Sequence, residues 1–193
     1  NMRAAFVVRD NVWHRRDIEK AYLVAIENAQ SEIVIANSYF LPGRRFRRAL
    51  MAARKRGVRV ILLLQGRVEY LLVDYAAHAL YEQFLGAGIE IHEYRTSFLH
   101  SKVAVIDRHW ATVGSSNIDP FSLLLAHESN IVVQNASFAS RLRTDIQKSM
   151  DTGASLVSAD DWQRVSKVKH FLFWVAYGLM RLTMGVAGYP NGH

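Results

Sequence analysis

The sequence predicts an α/β fold in which a mixed central sheet is flanked by helices on both faces. Two helix–glycine–strand units follow one another, a helix over 44–56 with a strand over 58–64, and a helix over 74–86 with a strand over 89–94. Gly57 stands after the first helix, where a helix C-terminus favours glycine. The strand over 58–64 is a nearly unbroken apolar run, which is typical of strands buried on both faces.

The other elements follow from the spacing of apolar residues. Residues 16–29 predict a helix because Ile18, Tyr22 and Ile26 share one face at helical spacing. The remaining expected elements are a helix over 136–149 and strands over 4–8, 31–36, 102–107, 110–113 and 130–133. We therefore expect one domain over residues 1–150.

Residues 151–193 differ in character and are expected to form a C-terminal amphipathic tail. A loop at 151–153 and a short helix from Asp160 precede an apolar run of about ten residues that starts at His170. A helix needs about 20 apolar residues to span a bilayer, so this run is too short. The flanking cations fit an interfacial helix, and a terminal helix packed on the domain fits the same pattern.

Composition narrows the class of partner. Half of the 193 residues are hydrophobic, so we expect the chain to fold rather than to remain disordered. Lys and Arg outnumber Asp and Glu by 24 to 17, a net charge of +7, which favours nucleic acid, anionic lipid or a phosphorylated substrate. Eight positive charges lie between Arg44 and Arg59, either as a solvated helix face or as an anion-binding surface.

Neither a metal centre nor a cofactor is expected from the residue pattern. The absence of cysteine excludes disulfides and thiolate metal sites. His92 and His109 are candidate metal ligands, but no carboxylate or histidine stands at ligand spacing with either of them.

The candidate chemistry lies in the segment of about 94–121. One residue separates His100 from Lys102, so in a strand their side chains point to the same side. Lys102 would neutralise phosphate oxygens, and Ser115 and Asn117 in the following turn would donate hydrogen bonds to them. His100 would either attack phosphorus or protonate a leaving oxygen. These residue types supply the positioning and charge stabilisation that phosphoryl transfer requires.

This pattern resembles the HxKxxxxD signature of the phospholipase D superfamily with its trailing GSxN. All of the fixed letters match, at His100, Lys102, Asp107, Gly114, Ser115 and Asn117. The resemblance implies a phospholipase D-like domain in which this signature carries catalysis. It also implies that Asp107 lies away from the phosphate and supports the strand turn. Glu128 falls where the family places a carboxylate that hydrogen-bonds to the histidine and orients it.

Two further segments resemble bacterial cardiolipin synthases. Residues 35–42 are similar to the IANPYFLP loop in the second half of that family, with Ser38 in place of proline. The resemblance puts this loop near the mouth of the active site, so Tyr39 and Phe40 are candidate substrate contacts, although a place in the core fits them equally well. Residues 174–182 look like the C-terminal end of B-type members. The implied protein is the C-terminal half of an enzyme that acts on phosphatidylglycerol and binds peripherally to the cytoplasmic side of a bacterial cell membrane.

Only one copy of the motif is present, whereas such enzymes use two histidines. The sequence has eight histidines, and His100 is the only one that is followed by lysine two residues later. The partner is therefore either a missing N-terminal half or a second copy of this chain, and the non-Met residue Asn1 favours the first.

Three functions compete on this evidence. The favoured one is half of a cardiolipin synthase that makes cardiolipin and glycerol through a phosphohistidine intermediate. The second is a single-motif homodimeric phosphodiesterase that acts on nucleic acid. Nucleic acid is less favoured as a partner than anionic phospholipid. The third is a non-catalytic protein that binds anionic membranes.

Overall fold

The structure is a computed structural model that describes residues 2–10, 13–124 and 126–186. In chain order these residues form the strands and helices β1 (Arg3–Arg9), α1 (Asp17–Asn28), β2 (Glu32–Asn37), α2 (Arg44–Lys55), β3 (Arg59–Gln65), α3 (Leu71–His78), α4 (Tyr81–Gly86), β4 (Glu90–Tyr94), β5 (Lys102–Ile106), β6 (Trp110–Gly114), α5 (Pro120–Leu124), β7 (Glu128–Gln134), α6 (Ala136–Gly153), β8 (Ala154–Leu156), α7 (Ala159–Gln163) and α8 (Lys167–Val186).

All of these strands belong to one sheet with the order β1-β7-β6-β5-β2-β3-β4-β8. β2, β3 and β4 run parallel and are connected through α2, α3 and α4, because parallel neighbours require a crossover. The other neighbouring strands are antiparallel. The expected mixed sheet is confirmed.

Helices cover both faces of the sheet, as the sequence predicts. Alternate residues of β2 point to opposite faces, so Ile33 and Ile35 join one core layer and Val34 joins the other. The first layer also contains residues of α1, α2 and α4, such as Ile26, Leu50 and Phe84. The second layer is covered by α6, through Ala139, Ile146 and Met150.

The region around residue 150 differs from the expected end of the domain. Residue 150 lies inside α6, which continues to Gly153, and β8 then pairs antiparallel with β4. The expected loop at 151–153 is therefore wrong. A strand of three residues gives no readable apolar alternation, because that signal needs at least four residues.

The single helix expected over 74–86 is in fact two helices. α3 ends at His78, and α4 begins at Tyr81. Between them the N–H of Leu80 donates to the carbonyl oxygen of Ala77, three residues back, which tightens the chain into a turn. The turn allows the rings of His78 and Tyr81 to stack, with centroids 4.6 Å apart.

One side of α8 packs on the domain. Phe173, Ala176 and Met180 are buried in the first core layer. The Phe173 ring stacks on His78 and on Trp162 of α7, with centroid distances of 5.2 and 5.7 Å. No helix in the described ranges is long and apolar enough to cross a membrane. The expected tail also includes residues 187–193, which lie outside the described residues.

One carboxylate ties the turn between β5 and β6 to the start of β2. Asp107 and Arg108 both have a φ of 51°, in the left-handed region. The Asp107 carboxylate accepts hydrogen bonds from the N–H groups of Gln30 and Ser31 at 2.8 Å and of Glu32 at 2.9 Å. Burial acts to raise the pKa of Asp107, but these hydrogen bonds outweigh it and hold the pKa below its ordinary value.

We expect Asp107→Asn to destabilise the domain by about 2 kcal/mol, because one amide oxygen replaces a charged acceptor that serves three N–H groups. A lowered pKa in the folded state gives a stabilisation that is present above the unfolded value near 4 and is lost as pH falls through the folded value. Urea unfolding measures the difference in free energy of unfolding between the variant and wild type. This difference should have its full size at pH 7 and should become smaller below about pH 4. Asp145→Asn, at an exposed position of α6, is the control. A difference that does not change with pH would contradict this role.

Candidate active site

Most of the predicted catalytic side chains lie at one edge of the sheet. β2 ends and β5 begins at this edge, because the strands are antiparallel and Asn37 pairs with Lys102. β6 ends and β7 begins at the same edge, with Gly114 opposite Asn130. The residues gathered there are His100, Lys102, Ser115, Asn117 and Glu128.

Lys102 forms the base of the site and is 7% exposed. Its Nζ donates to Ser38 Oγ at 3.2 Å and to the carbonyl oxygen of His100 at 3.4 Å. Burial lowers the pKa of Lys102 below its ordinary value, although the carboxylates of Glu128 and Asp119 act in the opposite direction. A cation in such a poorly solvated position attracts an incoming phosphate strongly.

His100 lies beside Lys102 and is exposed. Lys102 Nζ is 3.2 Å from His100 Nε2. An ammonium group can only donate, so a hydrogen bond between these two atoms requires the imidazole tautomer that carries its proton on Nδ1. The residue before the histidine is fixed by β3, because the Leu99 N–H donates to Gln65 Oε1 at 2.9 Å. The structure thus places the exposed Nε2 of His100 next to a buried cation.

Ser115 and Glu128 interact with each other. The Ser115 hydroxyl donates to Glu128 Oε2 and accepts the N–H of Ser129 at 3.1 Å. Among the described residues no hydrogen bond joins Glu128 to His100, in contrast to what the family resemblance implies. The cause is the register of β6 and β7, which places Ser115 directly beside Ser129.

The turn that carries Asn117 is held against the loop after β2. The Ile118 N–H donates to Asn37 Oδ1 at 3.1 Å, and the Leu41 N–H donates to the carbonyl oxygen of Ile118 at 2.8 Å. Oδ1 of Asn117 is buried and has no hydrogen-bond partner in the part of the chain that the structure describes. Unpaired buried acceptors are uncommon in folded proteins.

A close approach between strands requires glycine at position 114. A Cβ at this position would lie 2.1 Å from Asn130 Oδ1 and 2.4 Å from the carbonyl oxygen of Ser129. Asn130 cannot easily move, because its amide donates to Thr112 Oγ1 at 3.1 Å and its Oδ1 accepts the Ser116 N–H at 3.4 Å. The glycine of the motif therefore sets the path of the turn that carries Ser115.

Tyr39 and Phe40 lie in different environments. Phe40 is 3% exposed, and its ring packs against Phe46 and Phe84. Of the two alternatives for Phe40, the structure favours a place in the core, because its ring points inward. Tyr39 follows Ser38 at the site, and its hydroxyl donates to Glu69. Tyr39 stays a candidate substrate contact.

Asp107 lies apart from the other motif residues. It follows the end of β5 that is remote from Lys102, and it binds the N–H groups at the start of β2. Its carboxylate is therefore at the opposite edge of the sheet from His100. This position agrees with the supporting role that the family resemblance implies for it.

Residues 22–150 match the family model described as the cardiolipin synthase, PLD-like domain. The chain belongs to this family. Cardiolipin synthase B of Salmonella typhi is 46% identical over 145 residues, which make up 75% of this chain and 35% of that protein. The chain thus spans about a third of the length of the curated relatives that it matches.

Two solved structures share the fold of this phospholipase D-like domain. The phospholipase D family member Nuc from Salmonella typhimurium has a TM-score of 0.68 at 20% identity, with 82% of this chain and 100% of that chain covered. Phosphatidylserine synthase of Haemophilus influenzae Rd KW20 has a TM-score of 0.72 at 10% identity, with 97% of this chain and 46% of that chain covered. At such identities the likeness concerns the fold alone.

Two residues of the phospholipase D-like site go beyond the sequence prediction. Ser38, a departure from the family loop, accepts the hydrogen bond of Lys102, and Gln65 fixes the residue before His100. Both stand at the carboxyl ends of adjacent parallel strands, where open α/β sheets form their binding sites. The signal that could have found them is a polar residue at the end of a buried apolar strand.

The basic run is only partly available to a ligand. Four of its arginines bond to other elements: Arg47 to Gln83 and Tyr177, Arg54 to Gly88, Arg56 to Ile26 and Ala29, and Arg59 to Glu90. The remaining exposed cations of α2 are Arg44, Arg45, Arg48 and Lys55. Half of the run therefore stabilises contacts within the domain.

The two histidines considered as metal ligands are far apart. His92 lies on β4, where its Nε2 is 3.9 Å from Glu90 Oε2, whereas His109 lies in the turn between β5 and β6. Within the described ranges, no group of three His, Asp or Glu side chains is placed to hold a metal ion.

We expect Gly114→Ala to displace Asn130 and to lower the free energy of unfolding by about 1–3 kcal/mol, the usual effect of overpacking. Gly86→Ala is the matched control, because nothing lies within 4 Å of a Cβ at that helical position. Alanine there should be neutral or stabilising, since it is a better helix former than glycine. Thermal unfolding measures both variants. Equal stability of the two would contradict the close approach at Gly114.

Proposed function

We propose that this chain supplies one half of the active site of a cardiolipin synthase, which transfers a phosphatidyl group between two phosphatidylglycerol molecules. The protein acts at the cytoplasmic leaflet of a bacterial membrane and binds it peripherally. The observation that carries this proposal is the contact between the buried Lys102 ammonium and Nε2 of the exposed His100. Membership of the cardiolipin synthase domain family supports a lipid phosphate as substrate.

A phosphodiester that reaches this edge would replace a neutral hydrogen-bond acceptor of Lys102 with an anionic oxygen. The ammonium neutralises a non-bridging oxygen in a poorly solvated position, where the attraction is strong. Asn117 offers its side-chain amide from the neighbouring turn. Ser115 already donates its proton to Glu128, so its hydroxyl must rotate before it can donate to the phosphate. Glu128 therefore controls when Ser115 becomes available.

The transfer uses two histidines. One attacks phosphorus and forms a P–N bond while the P–O bond to the head-group glycerol breaks, and the other gives its proton to the departing glycerol oxygen. The second histidine then accepts the proton of a glycerol hydroxyl on another phosphatidylglycerol. That oxygen attacks phosphorus and the P–N bond breaks, which leaves cardiolipin and glycerol. Nε2 of His100 serves one of these two roles.

The other histidine comes from outside this copy of the chain. In-line displacement puts the attacking and leaving atoms on opposite sides of phosphorus, so one imidazole cannot serve both. The motif occurs once in the sequence. A missing N-terminal half is the preferred source, which the greater length of the relatives supports.

His100→Ala should abolish cardiolipin formation in the assembled enzyme, and Lys102→Ala should slow it by a factor of about 10²–10³, because the charge that develops on phosphate loses its stabilisation. Glu128→Gln should leave a folded but slower enzyme. Mass spectrometry of the lipids formed from phosphatidylglycerol gives the rates. His109→Ala, a histidine at the opposite edge of the sheet, is the control. Unimpaired turnover in His100→Ala would refute this site.

Nucleic acid is the competing substrate, and the same samples test it. The exposed cations of the basic run would suit a nucleic-acid backbone as well as lipid phosphates, so charge alone does not decide between them. Cleavage of nucleic acid by wild type but not by His100→Ala, without lipid turnover, would establish the phosphodiesterase instead. Vesicle binding without either reaction would establish a non-catalytic membrane-binding protein.

The half site makes a prediction about assembly. The chain alone should be inactive, and an N-terminal half that carries the second motif should restore cardiolipin synthesis. Sedimentation combined with the lipid assay tests this. The contrary result is an active dimer of wild-type chains whose activity is lost in mixed dimers with His100→Ala. It would show that the second histidine comes from another copy of this chain and not from an N-terminal half.

A further inference from the structure

Helix α8 has a second apolar side, which faces away from the domain. This outer face comprises residues that are each at least 41% exposed: Val168, Phe171, Leu172, Trp174, Val175, Leu179 and Leu182. They recur at three- and four-residue spacing, so they form one stripe along the helix. Contiguous exposed apolar surface of this kind marks a site of contact with protein or membrane.

The mouth of the catalytic site carries another exposed apolar set. This active-site rim comprises Val68, Tyr70, Leu71, Leu72 and Phe98. Phe98 stands two residues before His100, and the guanidinium of Arg67 lies 5.9 Å from the centroid of its ring. Arg67 also donates to the carbonyl oxygens of Arg95 and Thr96 at 2.8 and 2.9 Å. These bonds join the two segments of the rim to each other.

Helix α3 connects the active-site rim to α8. The first two residues of α3 belong to the rim, and its Tyr75 packs edge to face on Phe173 of α8, with centroids 5.1 Å apart. On the catalytic side, Tyr39 binds the rim through its hydroxyl, which donates to Glu69, and its ring lies 6.0 Å from that of Tyr70. Direct contacts thus link the catalytic loop, the rim and α8.

Exposed cations lie on α8 and on its neighbour α2. Neither α2 nor α8 contains Asp or Glu. The two helices are neighbours, because Arg47 of α2 donates to the Tyr177 hydroxyl of α8 at 3.2 Å. Their exposed cations are Arg44, Arg45, Arg48, Lys55, Lys167, Lys169 and Arg181. An apolar stripe among cations is complementary to an anionic lipid leaflet.

We propose that the outer face of α8 and the active-site rim form one docking surface for an anionic phospholipid bilayer. The apolar side chains enter the boundary between head groups and acyl chains, and the cations bind lipid phosphates. Because the rim begins two residues from His100, docking presents the catalytic edge to the head groups. A substrate lipid then needs to leave the leaflet only in part. This inference rests on the proposed function for the identity of the substrate lipid.

Vesicles of phosphatidylglycerol and phosphatidylethanolamine should bind the chain, and vesicles of phosphatidylcholine should not. Binding should weaken as salt rises, because salt screens the cations. Phe171→Ser with Val175→Ser should weaken binding at least ten-fold, since two apolar side chains no longer enter the lipid. Point substitutions are preferred to deletion of α8, which would expose the partners of Phe173 in the core.

Phe6→Ser is the matched control, because Phe6 is 69% exposed, against 67% for Phe171, and lies on the far edge strand β1.

Tryptophan fluorescence locates the bound surface directly. Lipids with brominated acyl chains should quench Trp174 on α8 and should not quench Trp13, which is 85% exposed before α1. Trp174→Phe should therefore remove the quenched emission, and Trp13→Phe should leave it. Quenching through Trp13 would overturn the proposal, as would unchanged binding of the double variant or an equal loss in Phe6→Ser.

Another protein surface is the alternative occupant of the outer face. Two results would overturn membrane docking and support a protein partner instead. One is a dimer that the Phe171 and Val175 substitutions break, and the other is vesicle binding that disappears when the N-terminal half is added. His100→Ala should bind vesicles as wild type does. Failure of catalysis therefore leaves the docking test intact, and lipid turnover in detergent micelles is judged separately from docking.

Discussion

The antiparallel pairing of β5 with β2 is the constraint on which both the sheet and the site depend. It joins the three parallel strands to the antiparallel group. At one end Asp107 binds the N–H groups before β2, and at the other the Ser38 N–H donates to the carbonyl oxygen of Ser101 at 3.0 Å. A slip of one residue would turn Lys102 to the opposite face of the sheet. The spacing between Lys102 and Asp107 in the motif is therefore the length of one strand, with a catalytic edge at one end and a structural turn at the other.

The burial of Lys102 explains why the site suits a phosphate. Removing an ammonium group from water is unfavourable, and Ser38 and His100 offset only part of that loss with their neutral acceptors. The lowered pKa of Lys102, caused first by burial, is the sign that the offset is incomplete. Under the proposed function, an anionic phosphodiester would supply the negative charge that these neutral acceptors lack. The cation is thus in place before a substrate binds. Such a preorganised charge stabilises a transition state without the cost of reorganisation.

The sequence is sufficient to predict the mixed sheet, the cluster of His100, Lys102 and Asn117, and the family. It succeeds because unbroken apolar strands and a motif with fixed spacing are both local signals. It is not sufficient where the answer depends on contacts between distant segments. Phe40 and Tyr39 are adjacent aromatic residues of one loop, and only the positions of α2 and α4 decide that Phe40 faces the core.

The same limit applies to the polar contacts of the site. The partner of Glu128 depends on the register of β6 with β7, and that register favours Ser115 over His100. Ser38 and Gln65 matter because β2 and β3 end side by side, which no local pattern records. β8 forms a strand because its backbone pairs with β4, whose N–H and C=O groups on that side have no other strand beside them.

The catalytic edge is open, and this openness has a chemical consequence. A groove of about 840 Å³ lies near the opposite edge, beside Asp107 and His109, and not at His100. His100 is instead exposed, beside the Lys102 cation at the strand ends that gather the polar side chains of the site. Stabilisation by fixed charges is strongest where water is excluded, so a phosphate on this edge needs a second surface above it. The same second surface is where in-line displacement requires the other histidine. Under the proposed function, enclosure of the phosphate and the second histidine are thus a single requirement, which one opposing half would fulfil.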